Sequence, residues 1–262
     1  MSFAEKTNAN PIIKLENIEL TYSDKKQSVD ALSNINLTIN EGDFICVLGP
    51  SGCGKSTLLG ILAGYLQPSS GSATMSGEPI KGADWRRAVV FQSPTLYPWL
   101  SAYDNIAFGL KMRHLPKEEI DEKVNKYIEL VGLSGFADSK PYELSGGMKQ
   151  RVALARTLVN QPSMILMDEP FGALDAITRA NMQELVRKLW RETGSTILMI
   201  THDVDEALML ATRAIVMSQR PGTIVKTFET EYTKEFYENG EDVRFSEDYL
   251  KMRKEIIEII TG

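Results

Sequence analysis

The chain has 262 residues, 43% hydrophobic and 24% charged, ordinary globular proportions with length for one large or two small domains and a sizeable core. Its net charge of −6 argues against a broad polyanion-binding surface, so nucleic acid is not an expected partner. The opening MSFAEKTNANP lacks an apolar signal-peptide core, no run approaches the ~18 apolar residues of a membrane span, and the two cysteines form no disulfide framework; a cytosolic protein is expected.

In chain order, Ile12–Tyr22 and Ile35–Ile39 alternate apolar and polar residues, the pattern of an antiparallel sheet with one wet face. Phe44–Leu48 is a short apolar run suited to a buried strand, and LGPSGCGKST follows it directly. That segment opens an apolar helix (Leu58, Leu59, Ile61, Leu62) and fits G-x-x-x-x-G-K-[ST] through Gly49, Gly54, Lys55 and Ser56. Glycines let the chain curl until successive backbone N–H groups face one anion, and the helix N-terminus adds positive charge there. Gly49, Pro50, Ser51, Gly52, Cys53, Gly54, Lys55, Ser56 and Thr57 therefore form a candidate phosphate cradle. Lys55 suits the outer phosphates, and the Ser56 hydroxyl suits a Mg²⁺ shell. Cys53 reads first as a small side chain that fits the loop; a sharper expectation is a thiol open to alkylation when no nucleotide is bound.

A further strand is expected over Ala88–Phe91, ending at Gln92. From Ser93 to Ala155 the strand pattern breaks and most of the segment reads as helical, as in Ile120, Val124, Ile128 and Val131, so it is expected to be an inserted subdomain. It holds the aromatics Tyr97, Trp99, Tyr103 and Phe108, and then LSGGMKQR, where Ser145, Gly146 and Gly147 make a second anion nest ahead of a helix. Met164–Met167 is an apolar strand that ends in Asp168 and Glu169, the end at which ligands bind in open α/β sheets. Asp168 is placed to hold Mg²⁺, and Glu169 to deprotonate water. Met182, Leu185, Val186 and Leu189 predict a helix that stops near Gly194. Thr196–Ile200, another strand, ends at Thr201, His202 and Asp203, and Asp203 with Glu206 resembles a capping box. Neutral imidazole at His202 suits sensing of phosphate or holding of the water. A last core strand is expected over Ala214–Ser218. The charged segment after Thr223 ends in an amphipathic stretch (Tyr249, Met252, Ile256, Ile259, Ile260) suited to docking as a helix.

Taken together these motifs resemble the ATP-binding subunit of ABC transporters, over roughly residues 12 to 225. Gly49–Thr57 looks like Walker A, LSGG at 144–147 like the signature, and MILMDE like Walker B with its glutamate. Gln92 is similar to the Q-loop glutamine, GALD at Gly172–Asp175 to the D-loop, His202 to the switch histidine, and Tyr22 to the aromatic that stacks on adenine. The resemblance implies an α/β P-loop NTPase with a mostly parallel sheet, an N-terminal antiparallel β subdomain and an inserted α-helical signature subdomain. Its expected layout is one ATPase domain over 1–225, with core at about 12–92 and 156–225 and helical subdomain at about 93–155, followed by a tail over 226–262. It also implies ATP and Mg²⁺ as cofactors. Catalysis would fall to Glu169, His202 and Gln92, with the metal on Ser56, Gln92 and Asp168. Nucleotide would be held by Tyr22 and the Walker A loop of one copy, and by Ser145, Gly146, Gly147 and Asp175 of another, in a head-to-tail dimer.

Without a membrane span of its own, such a subunit needs a separate integral-membrane permease, which would hold it at the cytoplasmic face of the membrane. YPW after the Q-loop together with DEPFGALD is similar to importer ATPases of the nitrate/sulfonate/taurine group, which implies an extracytoplasmic solute-binding protein and a small anion. The region after Gln92 would receive the permease's coupling helix, with Tyr97 and Trp99 lining the groove. The alternatives are an unfused exporter ATPase and a soluble non-transport ABC ATPase; LSGG and the lack of an N-K-x-D segment disfavour a P-loop kinase or GTPase.

Overall fold

The computed structural model describes residues 10–24, 27–230, 232–233 and 242–262. Chain order runs β1 (Pro11–Asp24), β2 (Gln27–Asn40), β3 (Phe44–Leu48), α1 (Lys55–Ala63), β4 (Ser70–Met75), β5 (Glu78–Pro79) and β6 (Arg87–Val90). Three helices follow, α2 (Ala102–Met112), α3 (Lys117–Leu130) and α4 (Gly146–Leu158). The chain then alternates through β7 (Met164–Asp168), α5 (Ala176–Thr193), β8 (Thr196–Ile200), α6 (Val204–Leu210), β9 (Arg213–Met217) and β10 (Ile224–Glu229), and closes with α7 (Glu247–Thr261).

The continuous apolar runs become the centre of a six-stranded sheet of order β10-β9-β3-β8-β7-β6, parallel except at β10. A strand covered on both faces has no wet side to alternate with, which is why FICVL is apolar throughout and TILMI is apolar after Thr196. The alternation instead sorts residues between two cores. Phe44, Cys46 and Leu48 face the helices α2–α7, whereas Ile45 and Val47 face α1 and the second sheet. On the helical side the Trp190 ring meets Phe44 edge-on at 5.7 Å, and its indole N–H donates to the Gly42 carbonyl at 3.0 Å. Such a ring pair adds about 0.5–1.5 kcal/mol beyond area burial.

The second sheet is antiparallel, of order β2-β1-β4-β5. In β1 the pairing shifts between Leu15 and Ile18, and Asn17 there takes a positive φ of 50°. That bulge lets two residues three apart in sequence both enter the core. The expected strands are all present with ends moved by one or two residues, except that β2 pairs with β1 well ahead of Ile35. The strands β4, β5 and β10 have no counterpart in the sequence reading. SGSATM is small and polar, and in IVKTFE only Phe228 is buried, so neither carries the apolar signal of a strand.

Parallel register aligns the carboxyl ends. Val47 and Asp168 both pair with Ile200, and Leu48 pairs with Val216. The segments after β3, β8, β7 and β6 therefore emerge side by side at one edge, in that order.

Candidate nucleotide site and its switch loops

The loop after β3 needs glycine for steric reasons that the structure makes explicit. Gly54 has a φ of 103°, and a Cβ there would lie 2.7 Å from Leu32 Cδ2 and 2.9 Å from the Ala31 carbonyl. Gly49, with a φ of 152°, would bring its Cβ to 2.9 Å from the Met217 carbonyl. The curl sets the free N–H groups at the start of α1 toward one space, an anion site by geometry. The Lys55 ammonium, nearly buried, donates to the carbonyls of Gly49 at 2.7 Å and Pro50 at 2.9 Å. Neutral carbonyls do not balance its charge, which suits a phosphate.

A cavity of about 310 Å³ lies on this loop, lined by Ser51, Lys55, Ser56 and Thr57, with Tyr22 and Glu169 also on its wall. Tyr22 is half exposed, and its hydroxyl sits 3.3 Å from Thr57 Oγ1, so its ring is available to a flat ligand group. A larger cavity of about 760 Å³ opens among Tyr127, Leu158 and Gly194, and none of the expected site residues lines it.

Asp168 ends β7 beside Ser56. Burial raises its carboxyl pKa, the Glu169 charge adds to this, and the Ser56 hydrogen bond and Lys55 partly offset it. A hydroxyl and a carboxylate together are hard oxygen donors that fit Mg²⁺, an ion that takes most remaining ligands from phosphates and water. Glu169 adopts a φ of 45°, fixed by its N–H donating to Ile200 O at 3.0 Å and its carbonyl accepting from Gly172 N at 3.1 Å. Non-glycine residues in this region cost about 1–3 kcal/mol and cluster at working sites. Its Oε2 stands 3.4 Å from His202 Nδ1. Gln92 approaches from β6: a Cβ on Gly172 would lie 3.1 Å from Gln92 Nε2 and 3.6 Å from Glu169 Oε2. Gln92, Glu169 and His202 thus converge beside the loop, on strands that only the sheet makes neighbours. His202 follows β8, the strand that pairs directly with the acidic strand β7.

Ser145, Gly146, Gly147 and Asp175 are placed elsewhere, and none lines that cavity. Ser145 caps α4, its Oγ accepting from Met148 N at 3.3 Å, and Gly146 is exposed with open space where a Cβ would be. A Cβ on Gly147 would come 2.5 Å from Thr178 Cγ2, so signature helix and α5 touch at their starts. Asp175 caps α5, accepting from Ile177 N at 3.1 Å and Thr178 N at 3.0 Å. Within one chain the starts of α4 and α5 lie together, away from the lining of that cavity.

Two expectations need correction. Cys53 is 1% exposed, with its sulfur turned inward 3.8 Å from Lys55 Nζ, so its thiol is not open to reagents. Asp203 does cap α6, accepting from Asp205 N and Glu206 N, but no capping box forms. The Glu206 carboxylate turns inward instead and accepts from Thr201 Oγ1 at 2.6 Å and Gln183 Nε2 at 3.0 Å.

Three functional candidates were not found from sequence. Arg220 lines the same cavity and donates through Nε to the Gly52 carbonyl at 3.2 Å; SQRPGT reads only as a turn. Asn105, fully buried, pins the aromatic loop by accepting from Tyr97 N at 2.9 Å and donating to the carbonyls of Tyr97, Leu100 and Ser101. Arg156 of α4 donates to Thr95 O at 3.0 Å and Pro94 O at 3.2 Å, tying the signature helix to the segment after Gln92. On that loop Trp99 is 69% exposed, and Tyr97 stacks between Trp99 and Phe108 at 5.6 and 4.6 Å.

Comparison with known proteins agrees with this geometry. The ABC transporter family profile matches residues 32–172, more than half of the chain. The taurine import ATP-binding protein TauB of Pelagibacter ubique is 45% identical over 251 residues, covering 94% of this chain and 93% of that protein. The corresponding TauB of Roseobacter denitrificans is 49% identical over 237 residues, 88% of this chain and 87% of that one. Among solved structures, the dimeric post-hydrolysis ATP-binding cassette MJ0796, bound to ADP and phosphate, superposes with a TM-score of 0.72 at 33% identity. That match covers 83% of this chain and 98% of the cassette.

Proposed function

The chain belongs to the ABC transporter ATP-binding family, and from that premise we propose that it energises import of a small sulfonate of the taurine type. The observation that carries the mechanism is the division of parts. The Walker A loop, Asp168, Glu169, His202 and Gln92 converge, while Ser145, Gly146, Gly147 and Asp175 gather on another surface. Each surface is half of a site. Two copies placed head to tail would close two sites, each nucleotide lying between the Lys55 loop of one copy and the Ser145 nest of the other.

In that assembly the residues of Gly49–Thr57 hold the phosphates, and Tyr22 packs on the base. Ser56, Asp168 and Gln92 would hold Mg²⁺, which would supply neutralisation of the charge on the phosphates. Glu169 takes a proton from water aimed in line at the terminal phosphorus. His202, its Nδ1 3.4 Å from the Glu169 carboxylate, senses that phosphate or holds the water with Glu169. Hydrolysis removes the group that bridges the two surfaces, so the dimer loosens.

Among the described residues no helix is long and apolar enough to cross a membrane. Transport therefore calls for a separate permease, and the exposed Trp99 on the pinned loop offers its coupling helix an apolar seat beside Gln92. The subunit then works at the cytoplasmic face, with an extracytoplasmic binding protein supplying solute. The support for a taurine-type solute is likeness to the TauB proteins alone.

The test is reconstitution of the chain with its permease and binding protein in vesicles holding MgATP. Taurine-stimulated hydrolysis with uptake is expected. Hydrolysis that ignores taurine and related sulfonates removes the solute assignment, and uptake in the reverse direction removes the importer reading.

A further inference from the structure

The His202 side chain is 68% exposed, so packing does little to fix it, and its place near Glu169 depends on the backbone that carries it. That backbone is a short loop between β8 and α6, and two successive carboxylates at the start of α6 anchor it in opposite directions. Glu206 points into the core and accepts from Thr201 and Gln183. Thr201 Oγ1 in turn accepts from Asp203 N at 3.0 Å, so the residues on both sides of His202 are held from beneath.

Asp205 points the other way, to the C-terminal helix. Its Oδ1 accepts from the Tyr249 hydroxyl at 2.7 Å and from Arg253 Nε at 2.9 Å. Burial works against the Asp205 charge, but these two donors outweigh it and hold the carboxyl below its ordinary range. Of the two donors Arg253 is half-exposed, and Tyr249 is firmly fixed. Tyr249 is 1% exposed and meets the Tyr232 ring edge-on at 5.1 Å, while Ile256 further along α7 is fully buried against the core. The tail is thus more than a cover over an apolar surface: the first two turns of α7 carry a two-donor grip on the opening turn of α6.

We propose that α7 is a positioning element for the switch histidine, with Tyr249 and Arg253 setting the α6 turn through Asp205 so that His202 meets Glu169. The proposal rests on the catalytic reading of His202 and Glu169 given above. It predicts a coupling between tail and turnover that a purely structural tail would lack.

The test uses the full-length protein with Tyr249→Phe and Arg253→Met combined; the first keeps the buried ring and the second the length of the side chain. Turnover is expected to fall about 10- to 100-fold, the range typical of a displaced catalytic group, while the ATP dissociation constant stays within about twofold. In a His202→Ala background the same pair is expected to have almost no further effect, since there is no imidazole left to misplace. Undiminished turnover, a parallel loss of ATP affinity, or an equal loss in the His202→Ala background would each overturn the proposal. Glu169→Gln serves as the control. If it is inactive while the tail variants are normal, only the positioning role fails; if it turns over normally, the catalytic reading beneath it fails as well.

Discussion

Glu169→Gln separates chemistry from binding more cleanly than any other change in the site. The amide keeps the shape of the side chain and can still face His202, which stands 3.4 Å from the carboxylate, but it cannot accept a proton from water. General-base catalysis is worth about 10²–10⁴-fold, and at 1.36 kcal/mol per decade the barrier rises by roughly 3–5 kcal/mol. Binding should not suffer. The Glu169 charge is second only to burial among the causes that raise the Asp168 pKa, so its removal eases ionisation of the carboxyl proposed to hold Mg²⁺. The variant is therefore expected to bind MgATP at least as tightly as the parent protein and to accumulate as a dimer. Phosphate-release kinetics measure the first effect, and light scattering during size-exclusion chromatography with and without MgATP measures the second. Turnover within about threefold of the parent protein would refute Glu169 as the base, because even the low end of the general-base range is larger.

Asp168→Asn tests the cost of the site. Burial first, then the Glu169 charge, raise the Asp168 pKa, so the fold favours the protonated acid. That preference is fully present below the unfolded value and is lost as pH rises through the raised folded value, so near pH 7 the ionised carboxylate is a burden. The variant is expected to melt higher than the parent without nucleotide at about pH 7, with the gap closing toward about pH 4, and to lose Mg²⁺-dependent turnover. A lower melting temperature at neutral pH would contradict the electrostatics. Arg220→Ala removes a guanidinium from the nucleotide cavity and from the Gly52 carbonyl. ATP affinity in a fluorescent-nucleotide titration should drop about tenfold, with partial recovery in Arg220→Lys, and no change would leave Arg220 a bystander. Trp99→Ala should weaken both co-purification with the permease and the permease's effect on hydrolysis, and if both persist the groove lies elsewhere.

The sequence alone determined the local parts, because each needs only near neighbours. Gly49, Gly54, Lys55 and Ser56 form a phosphate loop wherever a buried strand feeds a helix, and FICVL and MILMD have too little polarity to be anything but central strands. The ends of α5 and α6 were equally local, with Gly194 in the left-handed region and Asp203 capping by its own carboxylate. Where burial was thin the pattern failed, as in β4 and β10, whose partners supply the pairing that their own composition does not advertise.

Only the tertiary structure decided distance. Parallel register lines up the ends of β3, β8 and β7, and so puts Lys55, His202 and Glu169 around one space although more than a hundred residues separate Lys55 from the other two. It turned Cys53 inward, sent Glu206 to Thr201 in place of its own helix cap, and brought Arg220 from an unremarked turn onto the phosphate loop. It also put Ser145, Gly146 and Gly147 on a surface apart from the chain's own cavity. Residue type fixes which bonds a side chain can make, a property of a few atoms. Which of them it does make depends on strand order and helix packing, which are properties of the whole chain.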